Sequence, residues 1–217
     1  MPNLVETKLV VREFDSPQDY LKIFNDMKSF TESRSVDSED EIWFVEHNPV
    51  YTLGVAGELK HVLNPHQIPV IRTNRGGQVT YHGPGQLVVY PLINLHRKNL
   101  FVKEYVSLLE ESVIQTLSEI GITNAQRNPG APGVYIPSEN SSLSKIASLG
   151  IKVSRGHTYH GIALNVDMDL LPFLGINPCG FEKLKVVDVK SILNVGNIDK
   201  IKQILLTKMK LLLKFDC

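Results

Sequence analysis

Cys179 lies in the run Gly175-Ile176-Asn177-Pro178-Cys179-Gly180. Asn-Pro starts a turn, and a glycine after the cysteine permits an unusual backbone angle. A cysteine at such a corner exposes its sulfur and has backbone N–H groups beside it that can stabilise a thiolate or an oxyanion. The chemistry this suits is nucleophilic attack. A thiol working at neutral pH needs a positive charge or a base nearby, and lysine supplies either. Lys145 stands apart from the other lysines because it opens the otherwise apolar run Ile146-Ala147-Ser148-Leu149-Gly150 after a serine-rich loop. The third such stretch is Arg75-Gly76-Gly77-Gln78-Val79-Thr80-Tyr81-His82-Gly83-Pro84-Gly85-Gln86, with four glycines and one proline in twelve residues. Glycines let a ligand approach the main chain. Gln78 to His82 reads as a short strand between permissive corners, so Arg75, Thr80, Tyr81 and His82 read as a pocket wall. Taken singly, each feature also has a structural reading: a core cysteine, a surface lysine, a glycine-rich hairpin.

His157 and His160 flank Tyr159, and strand alternation predicts His160 on the face opposite Tyr159. Hydrogen-bonded pocket or core histidines fit better than metal ligands, because no H-x-x-x-H pattern and no cysteine pair with zinc spacing occurs. P-loop, G-x-S-x-G and dinucleotide fingerprints are also absent from the sequence.

The elements that must position these residues follow from periodicity. Leu9 to Phe14 reads as a strand. Ser16 reads as an N-cap with Pro17 at the first helical position, and Tyr20, Ile23, Phe24, Met27 and Phe30 recur at helical spacing over about residues 17 to 31. Ile42 to Val45 is a strand, with Pro49 to Leu53 continuing it after a kink. Pro69 to Arg72 and Leu87 to Tyr90 flank the glycine-rich run. A helix spans about residues 101 to 120 on the stripe Tyr105, Leu108, Leu109, Val113, Leu117 and Ile120, ending at Gly121. After the turn Gly130-Ala131-Pro132-Gly133 comes the strand Val134 to Ile136. Lys145 to Ser154 and Thr158 to Val166 read as paired strands joined through Arg155-Gly156-His157. The pattern blurs after Cys179, and a last helix over about 198 to 214 is amphipathic through Ile201, Ile204, Leu205, Leu211 and Leu212. The predicted class is α+β, a mixed, mainly antiparallel sheet with packed helices, forming one domain over residues 1–217.

The 217 residues carry 23 basic and 23 acidic side chains, so no global field points to nucleic acid or a membrane. Eight lysines between Lys183 and Lys214 face only Asp188 and Asp199. They read as a solvated face or as a docking face for an acidic protein. No apolar run approaches membrane-spanning length, Met1 to Glu6 lacks the features of a signal peptide, and Cys179 and Cys217 make no disulfide framework. A reducing cytoplasm is expected.

Five motifs in order carry a family resemblance: Glu46-His47-Asn48-Pro49-Val50-Tyr51-Thr52-Leu53-Gly54, the Arg75–Gln86 run, Lys145 to Gly150, Arg155-Gly156 with His160-Gly161-Ile162-Ala163-Leu164-Asn165-Val166, and Ile176 to Gly180. Together they resemble the octanoyltransferases of lipoate biosynthesis. The resemblance implies a fold like that of the biotin and lipoate protein ligases. It implies transfer of an octanoyl or lipoyl group from acyl carrier protein to a lysine of lipoyl domains, those of 2-oxoacid dehydrogenase complexes and of the glycine cleavage H protein. Neither ATP nor metal is expected. Cys179 would carry the acyl group as a thioester, and Lys145 would lower its pKa and shuttle protons. Arg75, Gly76, Gly77, Gln78, Val79, Thr80, Tyr81 and His82, with Ser148, Leu149, Gly150, Gly161, Ile162 and Ala163, would line the acyl pocket. The glycines at 76, 77 and 161 would leave room for the chain. The sequence departs from the family at Asn48, usually proline, and after Cys179, where Phe181 to Asp188 replaces a Gly-x-x-x-Thr pattern in a loop able to alter acceptor specificity. The rival readings are an ATP-dependent lipoate or biotin protein ligase, a non-catalytic lipoyl-domain-binding protein and a thioesterase.

Overall fold

The computed structural model describes residues 8–138, 142–182 and 184–215. Among them, eight strands form one sheet. Its order is β1 (Leu9–Glu13), β2 (Asp40–Val45), β6 (Gln86–Leu92), β10 (His157–Asn165), β9 (Leu143–Ser154), β8 (Gly133–Pro137) and β7 (Gln126–Arg127), with β11 (Lys185–Val186) also paired to β9. A second sheet has the order β4 (Val70–Arg72), β3 (Val50–Leu53), β5 (Val79–His82). Pairs β1–β2, β3–β4 and β9–β11 are parallel and the rest antiparallel. This is the mixed, mainly antiparallel α+β architecture that the strand pattern predicts.

The central strand β6 is buried on both faces, which explains its nearly continuous apolar run. Leu87 and Val89 point into a core shared with α2 (Val102–Glu119) and α4 (Ile198–Leu212). Val88, Tyr90 and Leu92 point the other way, against Ile23 and Met27 of α1 (Tyr20–Ser33). Full burial of a Val or Leu side chain contributes about 1.5–3 kcal/mol, so β6 anchors both layers. A third cluster, including Tyr51, Tyr81 and Phe173, sits beneath the second sheet.

Several boundaries differ from the sequence reading. The first helix is capped by Asp19, whose carboxylate accepts from the Lys22 N–H at 2.8 Å. Ser16-Pro17 precedes it because Gln18 is held in extended form, its N–H donating to the Glu46 carbonyl at 2.8 Å and pairing with His47. Val50–Leu53 does not continue β2; it joins the second sheet. In α4 the buried positions are Ile201, Leu205 and Met209, whereas Leu211 is exposed. Beyond Cys179 the blurred stretch contains β11 and the short helix α3 (Val189–Leu193), capped reciprocally by Asp188 and Ser191. Three of the lysines in the C-terminal stretch are engaged by carboxylates: Lys190 by Asp167, Lys202 by Glu13 and Asp199, and Lys208 by Glu119. Lys183 and Cys217 lie outside the described residues.

Candidate active site

Cys179 sits at the centre of a single 3₁₀ turn, Pro178–Gly180, with φ 57° and ψ 16°. A left-handed backbone costs a non-glycine residue about 1–2 kcal/mol, and the surrounding contacts hold it there. The Asn177 N–H donates to the His61 carbonyl at 2.8 Å, and Ile176 bridges to Val62. The Gly180 and Phe181 N–H groups donate to the Asn177 and Pro178 carbonyls at 2.9 and 3.1 Å. Those two amides are therefore engaged within the turn itself, contrary to the expectation of free donors beside the sulfur.

The donor at the sulfur is instead Lys145. Its Nζ lies 2.9 Å from Cys179 Sγ and 3.0 Å from the Pro132 carbonyl oxygen. It also lies 5.0 Å from the centroid of the Tyr135 ring. Lys145 is only 2% exposed. It stands opposite Tyr135 where the β8–β9 register slips, leaving Ile146 without a partner on β8; a bulge of this kind re-aims side chains. Burial alone would lower the pKa of the ammonium, but the charge of Cys179 and the contact with Tyr135 outweigh it and hold the pKa above the ordinary lysine value. Gly133 makes room for this side chain. It adopts φ +135°, and a Cβ there would come within 2.7 Å of Lys145 Cε and 2.5 Å of the Ala147 carbonyl oxygen.

A pocket runs inward from Cys179 between the two sheets, with about 480 Å³ of non-protein space including its open mouth. It is lined by Arg75, Gly77, Gln78, Val79, Thr80 and His82 from one side and by Ser148, Leu149, Gly150, Gly161, Ile162 and Ala163 from the other. Tyr20, Val88, Tyr90 and His160 complete it. His160 reads from the sequence as a pocket or core histidine; the other three were not singled out there as pocket residues. Tyr20, Val88 and Tyr90 carry only core signals there, because the helix and strand that bring them in are distant along the chain. Gly76 and Tyr81 lie outside the lining. Alternation along β5 turns Tyr81 away from Thr80 and His82, into the cluster with Tyr51 and Phe173. The Gly76 N–H is spent on the Ile151 carbonyl at 2.9 Å. Gly161 does not leave room for a ligand: a Cβ there would meet the Val89 carbonyl oxygen at 2.0 Å. Glycine at 161 is thus required by the close approach of β6.

Arg75 is buried, and its guanidinium is held by oxygens of neutral groups. Nε and Nη2 donate to Thr52 Oγ1 at 3.1 and 2.9 Å, Nη1 to the Gly76 carbonyl at 2.9 Å, and Nη2 to the Gln78 carbonyl at 2.7 Å. Burial pulls its pKa down from the usual arginine value, opposed by Tyr20, Cys179 and Tyr90. The guanidinium stays charged and ties β3 to the glycine-rich loop.

Two buried histidines, His82 and His160, line the pocket, and a third, His47, packs against His82 and Tyr90. His47 Nε2 is 2.7 Å from the Tyr90 hydroxyl, His82 Nδ1 is 2.7 Å from Gln86 Oε1, and His160 Nε2 is 2.8 Å from Asn74 Oδ1. Burial depresses all three, His47 to about 4 and His160 to about 3, with His82 well below the ordinary value. They are neutral at pH 7. Strand alternation fails at His160, which has φ 59°. Its ring stacks on Tyr159 at 4.9 Å, not on the opposite face, and Asn74 bonds both side chains. His157 lies apart from the pocket, near Arg34, Asp40 and Arg97. Among the described residues no three histidine, cysteine or acidic side chains are grouped to hold a metal ion.

The sequence profile of the lipoyl protein ligase A/B catalytic domain family matches residues 19–210. The chain belongs to this family. It is 56% identical over 173 residues to the octanoyltransferase of Bordetella parapertussis, covering 80% of this chain and 79% of that one. Relatives this similar and this complete place the chain among acyltransferase enzymes. The fold is that of the lipoate and biotin protein ligases. A bipartite lipoate protein ligase from Thermoplasma acidophilum superposes with a TM-score of 0.73 at 18% identity, covering 97% of this chain and 85% of that one. A biotin protein ligase from Aquifex aeolicus gives 0.56 at 15% identity, covering 95% and 70%.

Proposed function

We propose that this family member is an octanoyltransferase of protein lipoylation that works through a Cys179 thioester, with residues 1–217 acting as one catalytic domain. The observation that carries this reading is the 2.9 Å contact between Lys145 Nζ and Cys179 Sγ at the mouth of a pocket between the sheets. The donor is octanoyl-acyl carrier protein. The Cys179 thiolate attacks the donor carbonyl, the bond to the carrier sulfur breaks, and Lys145 gives its proton to the departing carrier thiolate, which leaves as the thiol. The second transfer reverses these roles. A neutral lysine amine on a lipoyl domain attacks the Cys179 thioester, an amide forms, and the Cys179 thiolate leaves. The amine proton passes to Lys145, which restores the starting pair. Thioester-to-thioester exchange is nearly isoenergetic, so no ATP is consumed, and a covalent intermediate lets two bulky proteins use one site in turn. The reaction is cytoplasmic.

The experiment is intact-protein mass spectrometry after mixing with octanoyl-acyl carrier protein, followed by a chase with an apo lipoyl domain. One octanoyl group should appear on the wild type, be removed by hydroxylamine, be absent from Cys179→Ala, and move to the domain in the chase. Transfer that proceeds without an enzyme adduct and requires ATP would overturn the reading in favour of a ligase.

A further inference from the structure

Glu110 lies in the middle of α2, on the side facing the core, and is 7% exposed. Acidic side chains are almost never buried unless paired. One of its oxygens, Oε1, accepts from the Gly133 N–H at 2.8 Å. The other, Oε2, is 3.3 Å from Arg127 Nε on β7. Gly133 N belongs to the peptide group whose carbonyl is Pro132 O, and that oxygen accepts from Lys145 Nζ at 3.0 Å. One peptide thus receives a carboxylate at its N–H and an ammonium at its C=O. A charged acceptor on the N–H polarises the amide and makes its carbonyl a stronger acceptor.

We propose that Glu110 is a positioning residue for the Lys145–Cys179 pair, acting through the Pro132–Gly133 peptide to keep Lys145 protonated and aimed at the sulfur. Its place in catalysis rests on the proposed acyl-transfer function; its effect on Lys145 does not. The charged and titratable groups around Lys145 come from six elements. Cys179 faces it from the 3₁₀ turn and Tyr135 from β8, and Glu110 reaches it from α2 only through the Pro132–Gly133 peptide. Arg75 acts from the glycine-rich loop, through Cys179. Lys185 lies on the neighbouring strand β11. Arg127 partly offsets Glu110 and is itself shared with Glu111 at 2.6 Å. A purely structural Glu110 needs only an oxygen to accept from Gly133 N–H, which glutamine also supplies.

The test follows the rate of Cys179 alkylation by iodoacetamide against pH, read at the Cys179 peptide by mass, in the full chain. The thiolate gains reactivity when its ammonium partner loses a proton, so the profile has an alkaline inflection set by Lys145. In Glu110→Gln this inflection should move to lower pH by about one unit, from loss of one nearby charge. The single-turnover octanoylation rate should fall about tenfold, with the donor KM unchanged. Arg127→Gln, at a half-exposed position, should move the inflection the opposite way. Superimposable profiles for wild type and Glu110→Gln overturn the proposal. If Glu110→Gln does not fold, an unmoved inflection in Arg127→Gln overturns it instead. A wild type that shows the inflection and its shifts yet never accepts an octanoyl group refutes the acyl-transfer reading and leaves the Glu110 assignment standing.

Discussion

In the proposed mechanism the Lys145 ammonium has two requirements: it must fit a buried slot against Gly133, and it must both donate and accept a proton. Lys145→Arg keeps the charge but cannot give up its proton at working pH and is too large for the slot. Octanoylation of Cys179 is expected to fall by about 10²–10⁴-fold, measured as single-turnover rate with the protein still folded by circular dichroism. Gly133→Ala tests the slot from the other side. A methyl 2.7 Å from Lys145 Cε, on a backbone at φ +135°, should cost about 1–3 kcal/mol of stability. It should also cut the acylation rate at least tenfold, since the ammonium must shift. Unchanged urea unfolding and rate would show that the slot is not needed. The sequence singles out Cys179 and Lys145 by their settings, a proline-glycine corner and a cation opening an apolar strand, each of which also has a structural reading; the fold brings the two to 2.9 Å. Glu110 is not singled out there. On α2 it reads as one acid among others, and only the fold brings it to a turn 23 residues away.

The elements around the pocket share a set of neutral imidazoles. His47 follows β2, His82 ends β5 and His160 lies within β10. Each is depressed below the unfolded histidine value of about 6.5, so the unfolded chain takes up protons that the folded chain refuses. Stability is therefore full above about pH 6.5 and is lost as pH falls, down to about 4 for His47 and about 3 for His160. The slope is about 1.4 kcal/mol per pH unit for each histidine. Urea unfolding should show a loss of about 3–4 kcal/mol between pH 7 and 5.5, and His160→Gln should remove about a third of that dependence. A flat profile would mean that these rings charge without resistance. The helix α1, which supplies Tyr20 to the pocket, offers a simpler check: Asp19→Ala should cost about 1 kcal/mol and lower Tm by about 2–4 °C. The strands and long helices were legible because their periods are regular. The left-handed φ at His160 was not, since alternation assumes an unbroken strand. Nor were the three-residue strand β4 as the partner of β3 and the 3₁₀ turn at Leu171–Gly175, whose residues have neither length nor period.

At the scale of the whole molecule, the pocket is a gap between two sheets, lined by Cys179 and by Tyr20 of α1 among others. Its inner wall comes from Val88, Tyr90 and Ala163, residues that elsewhere would be ordinary core. A donor series of increasing acyl length should show kcat/KM rising about fourfold per methylene, from about 0.8 kcal/mol of burial each. The rise should stop once the chain reaches Tyr20 and His82; a length-independent series would mean that the acyl chain stays outside. The departing loop after Cys179 places Val186 of β11 beside Lys145 in parallel register, a position the sequence pattern alone could not assign. The gap has another consequence. On the proposed mechanism an octanoyl chain tethered to Cys179 would lie where a folded protein normally keeps its own side chains, so the loaded enzyme would be a protein whose interior is completed by its cargo. Loading should then raise resistance to heat and to proteases, and delivery should hollow the molecule again. The lifetime of such a loaded form would then be set by how well the cargo fits: a chain held too snugly would make a sturdy protein and a slow enzyme.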